Sequence, residues 1–248
     1  MTLPSFAALL LLTGLPLPAA PERMQVDGVI YHVLRTPADS VRIVWKNDGD
    51  RQLRTFPEAS RHLTGKGEEP ATIMNGGIYE PGGIPSGLLV QEGRELRPVN
   101  RGNGKGNFFL KPNGIFLVGS NGPAVIDAAE FPRKDERLRE AVQSGPLLLR
   151  HDRVHPAFNA ESASRLHRNG VGVTPGGEVV FAMTDFHSPK FPNLHEFALL
   201  FRKLGCKDAL FLDGDLSQMR SGKDILKWSN DFGSFIAVVK TEPKPPAK

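Results

Sequence analysis

The residues best suited to chemistry in this chain are acidic and sit where apolar runs end. Asp213-Gly214-Asp215 follows Ala209-Leu210-Phe211-Leu212. Two neighbouring carboxylates can hold one proton between them, which suits acid–base work, or they can ligate a divalent cation. A plain Asp-Gly turn would show the same letters. Asp185 ends a second apolar run, Val179-Val180-Phe181-Ala182-Met183, and His187 follows two residues later. Asn75-Gly76-Gly77 ends a third, Ala71-Thr72-Ile73-Met74. Its glycines either make a tight turn or let a ligand approach free backbone amides. Ser144-Gly145 offers a hydroxyl and an amide donor ahead of a strand. Arg168, before Asn169-Gly170-Val171-Gly172, is either a phosphate clamp or an ordinary surface arginine.

Other chemistries find little support. Gly102-Asn103-Gly104-Lys105-Gly106 lacks the Gly-Lys-Ser/Thr ending of a phosphate loop and reads as a flexible loop. Ser144 is not framed by a Gly-x-Ser-x-Gly elbow, so acyl transfer is disfavoured. Of the seven histidines, His151 and His155 are separated from any helical pairing by Pro156, and no His-Glu-x-x-His occurs. A single cysteine, Cys206, excludes an internal disulfide framework and every Cys-Cys zinc site.

The elements that position these residues are mostly strands. Runs over 29–35 and 41–46 read as a strand pair, 71–74 as a short buried strand, and 86–91 as a strand turning at Glu92-Gly93. Further strands are expected over 114–118 and 145–149, with a brief charged helix over 135–142 before the latter. The clearest unit is a strand over 178–184, a helix and a strand over 208–212. Asn193 with Glu196 forms a capping box, Leu194, Phe197, Ala198, Phe201 and Leu204 share one helical face, and Gly205 ends the helix. Strand, helix, strand in so few residues predicts a right-handed crossover between parallel strands. Both carboxyl ends then open on one sheet edge, bringing Asp185 beside Asp213 and Asp215. Asn75 joins that edge if its strand is parallel to them. The fold class expected is α+β, a single domain on a mixed, strand-rich sheet with the crossover near the C-terminus.

In this order, Asn75-Gly76-Gly77, Ser144-Gly145-Pro146, Arg168 through Gly172, and Leu212-Asp213-Gly214 with Ser217 beyond resemble the phosphodiester glycosidase family. Leu204-Gly205-Cys206 and Asp208-Ala209 are also similar to it, so the likeness spans about residues 70 to 240. Where the family often reads Asp-Gly-Gly followed by small residues, this chain has Asp213-Gly214-Asp215-Leu216-Ser217, which resembles a bacterial subgroup. The resemblance implies a hydrolase that cleaves a sugar-1-phosphodiester or related envelope glycan at the glycosidic carbon. Such cleavage passes through a cationic sugar and needs a carboxylate to activate water or stabilise charge. The phosphodiester leaves as a stable anion, held by arginine and backbone amides. Asp213 is the first choice for the catalytic carboxylate, with Asp185 or Asp215 as partner. Asn75, Gly76, Gly77, Ser144, Gly145, Arg168, Asn169, His187 and Ser217 are the expected substrate-binding set. No cofactor is expected; the alternatives are a divalent cation in a metal-dependent phosphodiesterase, or a carbohydrate-binding envelope protein without turnover.

Composition agrees with a folded, exported protein. With 248 residues, 40% hydrophobic and 23% charged, the chain can bury a sizeable core. The net charge is +4, of which the tail from Lys240 to Lys248, with three Lys and one Glu, supplies +2. The remainder is too mild and too scattered for a nucleic-acid partner. Residues 1–20 carry no charge and hold an apolar run too short for a membrane span, ending in Ala19-Ala20. They read as a signal peptide, with the main domain over 24–240, a disordered tail over 241–248, and a periplasmic or secreted product with no membrane insertion after signal removal.

Overall fold

A computed structural model describes residues 20–132 and 136–240 of the chain. Among the described residues, eighteen strands form four sheets, with two α-helices. The seven-stranded sheet runs in the order β1 (Glu22–Val26), β2 (Val29–Pro37), β15 (Glu178–Thr184), β14 (Asn169–Val173), β16 (Asp208–Asp213), β12 (Leu147–Arg150), β13 (Arg153–Val154). The five-stranded sheet is β10 (Gly122–Asp127), β9 (Gly114–Gly119), β11 (Leu138–Ser144), β7 (Leu89–Gln91), β8 (Arg94–Arg97). The four-stranded sheet is β17 (Met219–Ser221), β4 (Pro70–Asn75), β18 (Phe235–Val239), β3 (Val41–Val44). A short hairpin, β5 (Tyr79–Glu80) with β6 (Ile84–Pro85), completes the set. The helices are α1 (Phe56–Gly65) and α2 (Leu194–Lys203).

Alternation along the strands explains why these runs are apolar throughout. Successive strand residues point to opposite faces, so a strand covered on both sides needs apolar residues at every position. On β15, Val179 and Phe181 enter a central core where the three large sheets meet, while Val180 and Ala182 pack under α2. On β18, Ile236 and Val238 face the same central core, and Phe235, Ala237 and Val239 pack with Phe56, Ala59 and Leu63 of α1. Helix α2 begins on the expected capping box, with Asn193 Oδ1 accepting from the Glu196 amide at 2.9 Å and Glu196 Oε2 from the Asn193 amide at 3.2 Å. It lies close on the sheet because β14 offers glycine beneath it. A Cβ on Gly172 would sit 2.7 Å from Cys206 Sγ and 2.8 Å from a Phe201 ring carbon. Cys206 is buried, and burial pushes its thiol up to about 12.

The α+β, single-domain, strand-rich fold matches expectation, and the details correct it in four places. Strands β15 and β16 run in the same direction, as the crossover requires, but β14 lies between them and pairs antiparallel with both. The runs after Val29 and Val41 are strands but not partners: β2 pairs with β1 and β15, and β3 pairs with β18 in another sheet. The charged segment expected as a helix is strand β11 from Leu138 onward, with Asp135 outside the described residues. Its charges are tolerated because they bridge to a neighbouring sheet: Arg139 donates to the carbonyl of Ala38 at 2.7 Å, and Glu140 accepts from the amide of Ile43 at 3.1 Å. Strand β4 is not in the crossover's sheet at all, although it still delivers Asn75 to the expected place. The segments read as signal peptide (1–19) and tail (241–248) also lie outside the described residues.

Glu140 is fully buried, and burial pushes its carboxyl up to about 8 against the hydrogen bond from Ile43. Between the ordinary value of 4.5 and about 8 the folded chain keeps a proton that the unfolded chain has released. Stability therefore falls as pH rises across that window and is level above it. Glu140→Gln retains the acceptor for Ile43 and removes the ionisation. Thermal unfolding against pH is expected to lose this downward slope, with Tm at pH 8 raised by roughly 5 °C; an unchanged slope would contradict the assignment.

Candidate active site

Asp213 ends β16, and a β-bulge decides where it points. Strand β14 pairs Gly170 with Phe211 but Asn169 with Asp213, so Leu212 is an extra residue on β16. Without it, strict alternation would send Asp213 to the α2 side with Phe211. The bulge re-aims it to the face that Asn169 occupies, toward the four-stranded sheet. There Asn75, at the end of β4 and 1% exposed, donates from Nδ2 to Asp213 Oδ2 at 3.3 Å. The Gly214 amide donates to the other carboxylate oxygen at 2.8 Å. Burial pushes the Asp213 carboxyl up to about 6, against the lowering from the Gly214 amide and Asn75.

Asn75 is a node. Its Oδ1 accepts from the Gln218 amide at 2.8 Å and from Asn169 Nδ2 at 3.2 Å, and its main-chain oxygen accepts from the same Asn169 group at 3.0 Å. Its main-chain amide donates to the Gln218 carbonyl at 3.2 Å. One carboxamide thus joins β4, β14, β16 and the loop after β16. Ser217 closes that loop, donating to the Gly214 carbonyl at 2.6 Å.

Beside this node lies an open cleft of ≈ 420 Å³, lined among others by His32, His167, Asp185, His187, Asp215 and Ser217. The register sets its length. His32, Met183, Asn169 and Asp213 stand in one row across β2, β15, β14 and β16. Three steps between strands separate the ends of that row by roughly 14 Å. At the far end Asp185 uses both carboxylate oxygens. Oδ1 accepts from the His187 amide at 2.7 Å, and Oδ2 lies 2.9 Å from His32 Nε2 and 3.6 Å from Arg23 Nε. Burial works against its charge, but the His187 amide and His32 hold its carboxyl below the usual carboxylate range. Asp215 is exposed on the cleft wall. Phe186, 72% exposed, also lines it.

Of the expected site residues, Asp185, His187, Asp215 and Ser217 line the cleft, and Asn75, Asn169 and Asp213 form the node beside it. The others are braces. Gly76 packs so closely that a Cβ would meet Ser234 Oγ at 2.4 Å, and one on Gly77 would meet the Gln143 carbonyl at 3.0 Å. Ser144, fully buried, accepts from the Ile78 amide at 3.2 Å and donates to the Leu212 carbonyl at 2.8 Å, tying β11 to the bulge. A Cβ on Gly145 would meet Asn113 Cβ at 2.6 Å. Arg168 is 1% exposed and donates to the carbonyls of Pro192 at 3.1 Å and Ser164 at 3.0 Å, with its guanidinium over the Phe211 ring. It braces the segment leading into α2 through Nε and Nη2. Sequence reasoning passed over His32, His167, Phe186 and Arg220, all of which line the cleft. His32 carried a signal, being the one polar residue inside Val29-Ile30-Tyr31-His32-Val33-Leu34. Among the described residues no group of three or more His, Cys, Asp or Glu side chains is arranged to hold a metal ion.

Comparison with known proteins places this geometry in context. Residues 69–232 match the family model described as phosphodiester glycosidase. The chain is 28% identical over 214 residues to the uncharacterized protein YigE of Escherichia coli, covering 86% of this chain and 81% of that one. In structure it is similar to the catalytic domain of zebrafish N-acetylglucosamine-1-phosphodiester alpha-N-acetylglucosaminidase, auto-inhibited by pro-peptide, with a TM-score of 0.59, 15% identity, and 88% and 81% of the two chains covered. It is also similar to a hypothetical protein from Synechocystis, with a TM-score of 0.55, 14% identity, and 89% and 61% covered. At these identities the structural likeness shows a shared fold.

The node makes a stability prediction. Asn75→Ala leaves the buried Gln218 amide without its acceptor and Asp213 Oδ2 without its donor, while Asn169 keeps only the main-chain oxygen of residue 75. Denaturant unfolding is expected to show a loss of about 3 kcal/mol, far more than an exposed truncation gives. A loss under about 0.5 kcal/mol, the range of neutral surface changes, would mean the node is not formed.

Proposed function

From the chain's membership of the phosphodiester glycosidase family, which the match over 69–232 establishes, we propose that it hydrolyses the bond between the anomeric carbon of a sugar and a phosphodiester oxygen. The observation that carries the reading is Asp213, a partly buried carboxylate aimed by the bulge and held by Asn75 and the Gly214 amide. Two donors on its two oxygens favour the ionised form, which can activate water or stabilise positive charge on the sugar ring. The phosphodiester leaves as an anion and asks little of a general acid. Asp215, exposed on the cleft wall, is the partner carboxylate. Asp185, with both oxygens engaged, positions His32 rather than reacting itself. Arg220, which lines the cleft, takes the phosphoryl-binding role expected of Arg168. The N-terminal segment supports export to the periplasm or beyond, with an envelope glycan or glycosyl phosphodiester as the substrate class. The step needs no cofactor, so a chelator is expected to leave the rate unchanged.

Three readouts on an α-sugar-1-phosphodiester test this. Asp213→Asn is expected to lower kcat by about a thousandfold without loss of fold; full activity in that variant would overturn the role. Since Asp213 acts ionised, kcat/KM should rise with pH through about 6 and level off above; a rate that falls across that range would make Asp213 an acid instead. In oxygen-18 water the label should enter the released sugar; label in the phosphate would mean cleavage at phosphorus.

A further inference from the structure

The cleft contains a buried polar side chain that the reaction above leaves unused. His167 is 6% exposed and lines the cleft; its ring is turned to the Asp185 main chain, but no well-formed hydrogen bond to either ring nitrogen is made among the described residues. Buried polar atoms are almost always paired, so a ring at a cleft wall whose nitrogens lack a full hydrogen bond calls for a ligand. The ring is held edge-on by Phe186 and Phe191, with centroids 5.4 and 5.7 Å away. Burial keeps the imidazole below its ordinary value and therefore neutral near pH 7. A neutral imidazole presents one donor and one acceptor, which is what a pair of hydroxyls requires. Phe186 stands beside His167 with most of its ring in solvent, an apolar plate at the mouth of a polar cleft.

We propose that His167 and Phe186 form the sugar-ring subsite of the cleft: His167 exchanges hydrogen bonds with hydroxyls of the ring, and Phe186 covers its apolar C–H face. The cleft's ≈ 420 Å³ falls in the range of small-molecule sites. The proposal deepens the glycosidase reading and rests on it for the kind of ligand. It makes His167 a specificity-determining residue, since an imidazole with one donor and one acceptor discriminates between hydroxyl configurations.

Binding read without turnover tests it. Glucose, galactose, mannose and N-acetylglucosamine are titrated separately into the wild-type chain, His167→Phe and Phe186→Ala, following ligand saturation transfer and histidine ring resonances by NMR. At least one sugar should bind and shift the His167 resonances. His167→Phe should weaken that sugar about tenfold, and Phe186→Ala about fivefold, the scale of one hydrogen bond or one ring contact. Phe186→Ala removes an exposed ring, so it carries the test even if His167→Phe does not fold. No shift at His167 with any of these sugars up to about 50 mM, or affinities unchanged in both variants, would overturn the subsite. Sugar binding without hydrolysis of any sugar-1-phosphodiester would overturn the hydrolase reading and leave the subsite standing. Hydrolysis with KM unchanged in His167→Phe would overturn the subsite alone.

Discussion

Asn75 is buried where the four-stranded and seven-stranded sheets meet, and its carboxamide must satisfy Gln218, Asn169 and Asp213 at once. A buried polar group without partners is costly, so each of these neighbours is constrained by the same demand. The bulge at Leu212 is the backbone's answer: it turns Asp213 from the helix-covered face to the face where Asn75 waits. Ser144 fixes the bulge from the other side by donating to the Leu212 carbonyl. Asp213 is thereby aimed by three sheets rather than by a loop, and a carboxyl so placed is raised by burial while its two donors keep it ionisable near neutrality.

The same arrangement divides labour along the cleft. At the Asp213 end the groups are fixed and partly buried, as charge stabilisation in a transition state requires. At the other end Asp185 is tied to His32, while His167 and Phe186, in edge-on contact, line the cleft. A row of four paired residues, His32 to Asp213, sets the distance between the ends through strand spacing alone. The close packing at the glycines supports this arrangement, since Gly77 lies against Ser144, which holds the bulge.

Much of this was legible in the sequence wherever a local rule applied. A continuous apolar run gave Glu178–Thr184, the Asn193–Glu196 capping box gave the start of α2, and strand-end acids marked Asp185 and Asp213. What escaped depends on long-range pairing. Nothing local says that β14 inserts between β15 and β16, or that Arg139 and Glu140 can sit in a strand because their partners come from residues near position 40. Arg168 shows the same limit: the residue type suits a phosphate, but only the fold shows that the carbonyls of Pro192 and Ser164 take up two of its donors. His167, its neighbour, was passed over because a lone histidine has no pattern until the cleft around it exists.

The central claim is that the Asn75 junction holds Asp213 as a reacting carboxylate in a desolvated position. Titration of the Asp213 carboxyl carbon by NMR, in the chain as it stands, measures this directly. The account requires a midpoint about 6. A midpoint near the ordinary aspartate value of 3.8 would mean that Asp213 is open to solvent, and the site built around it would not exist.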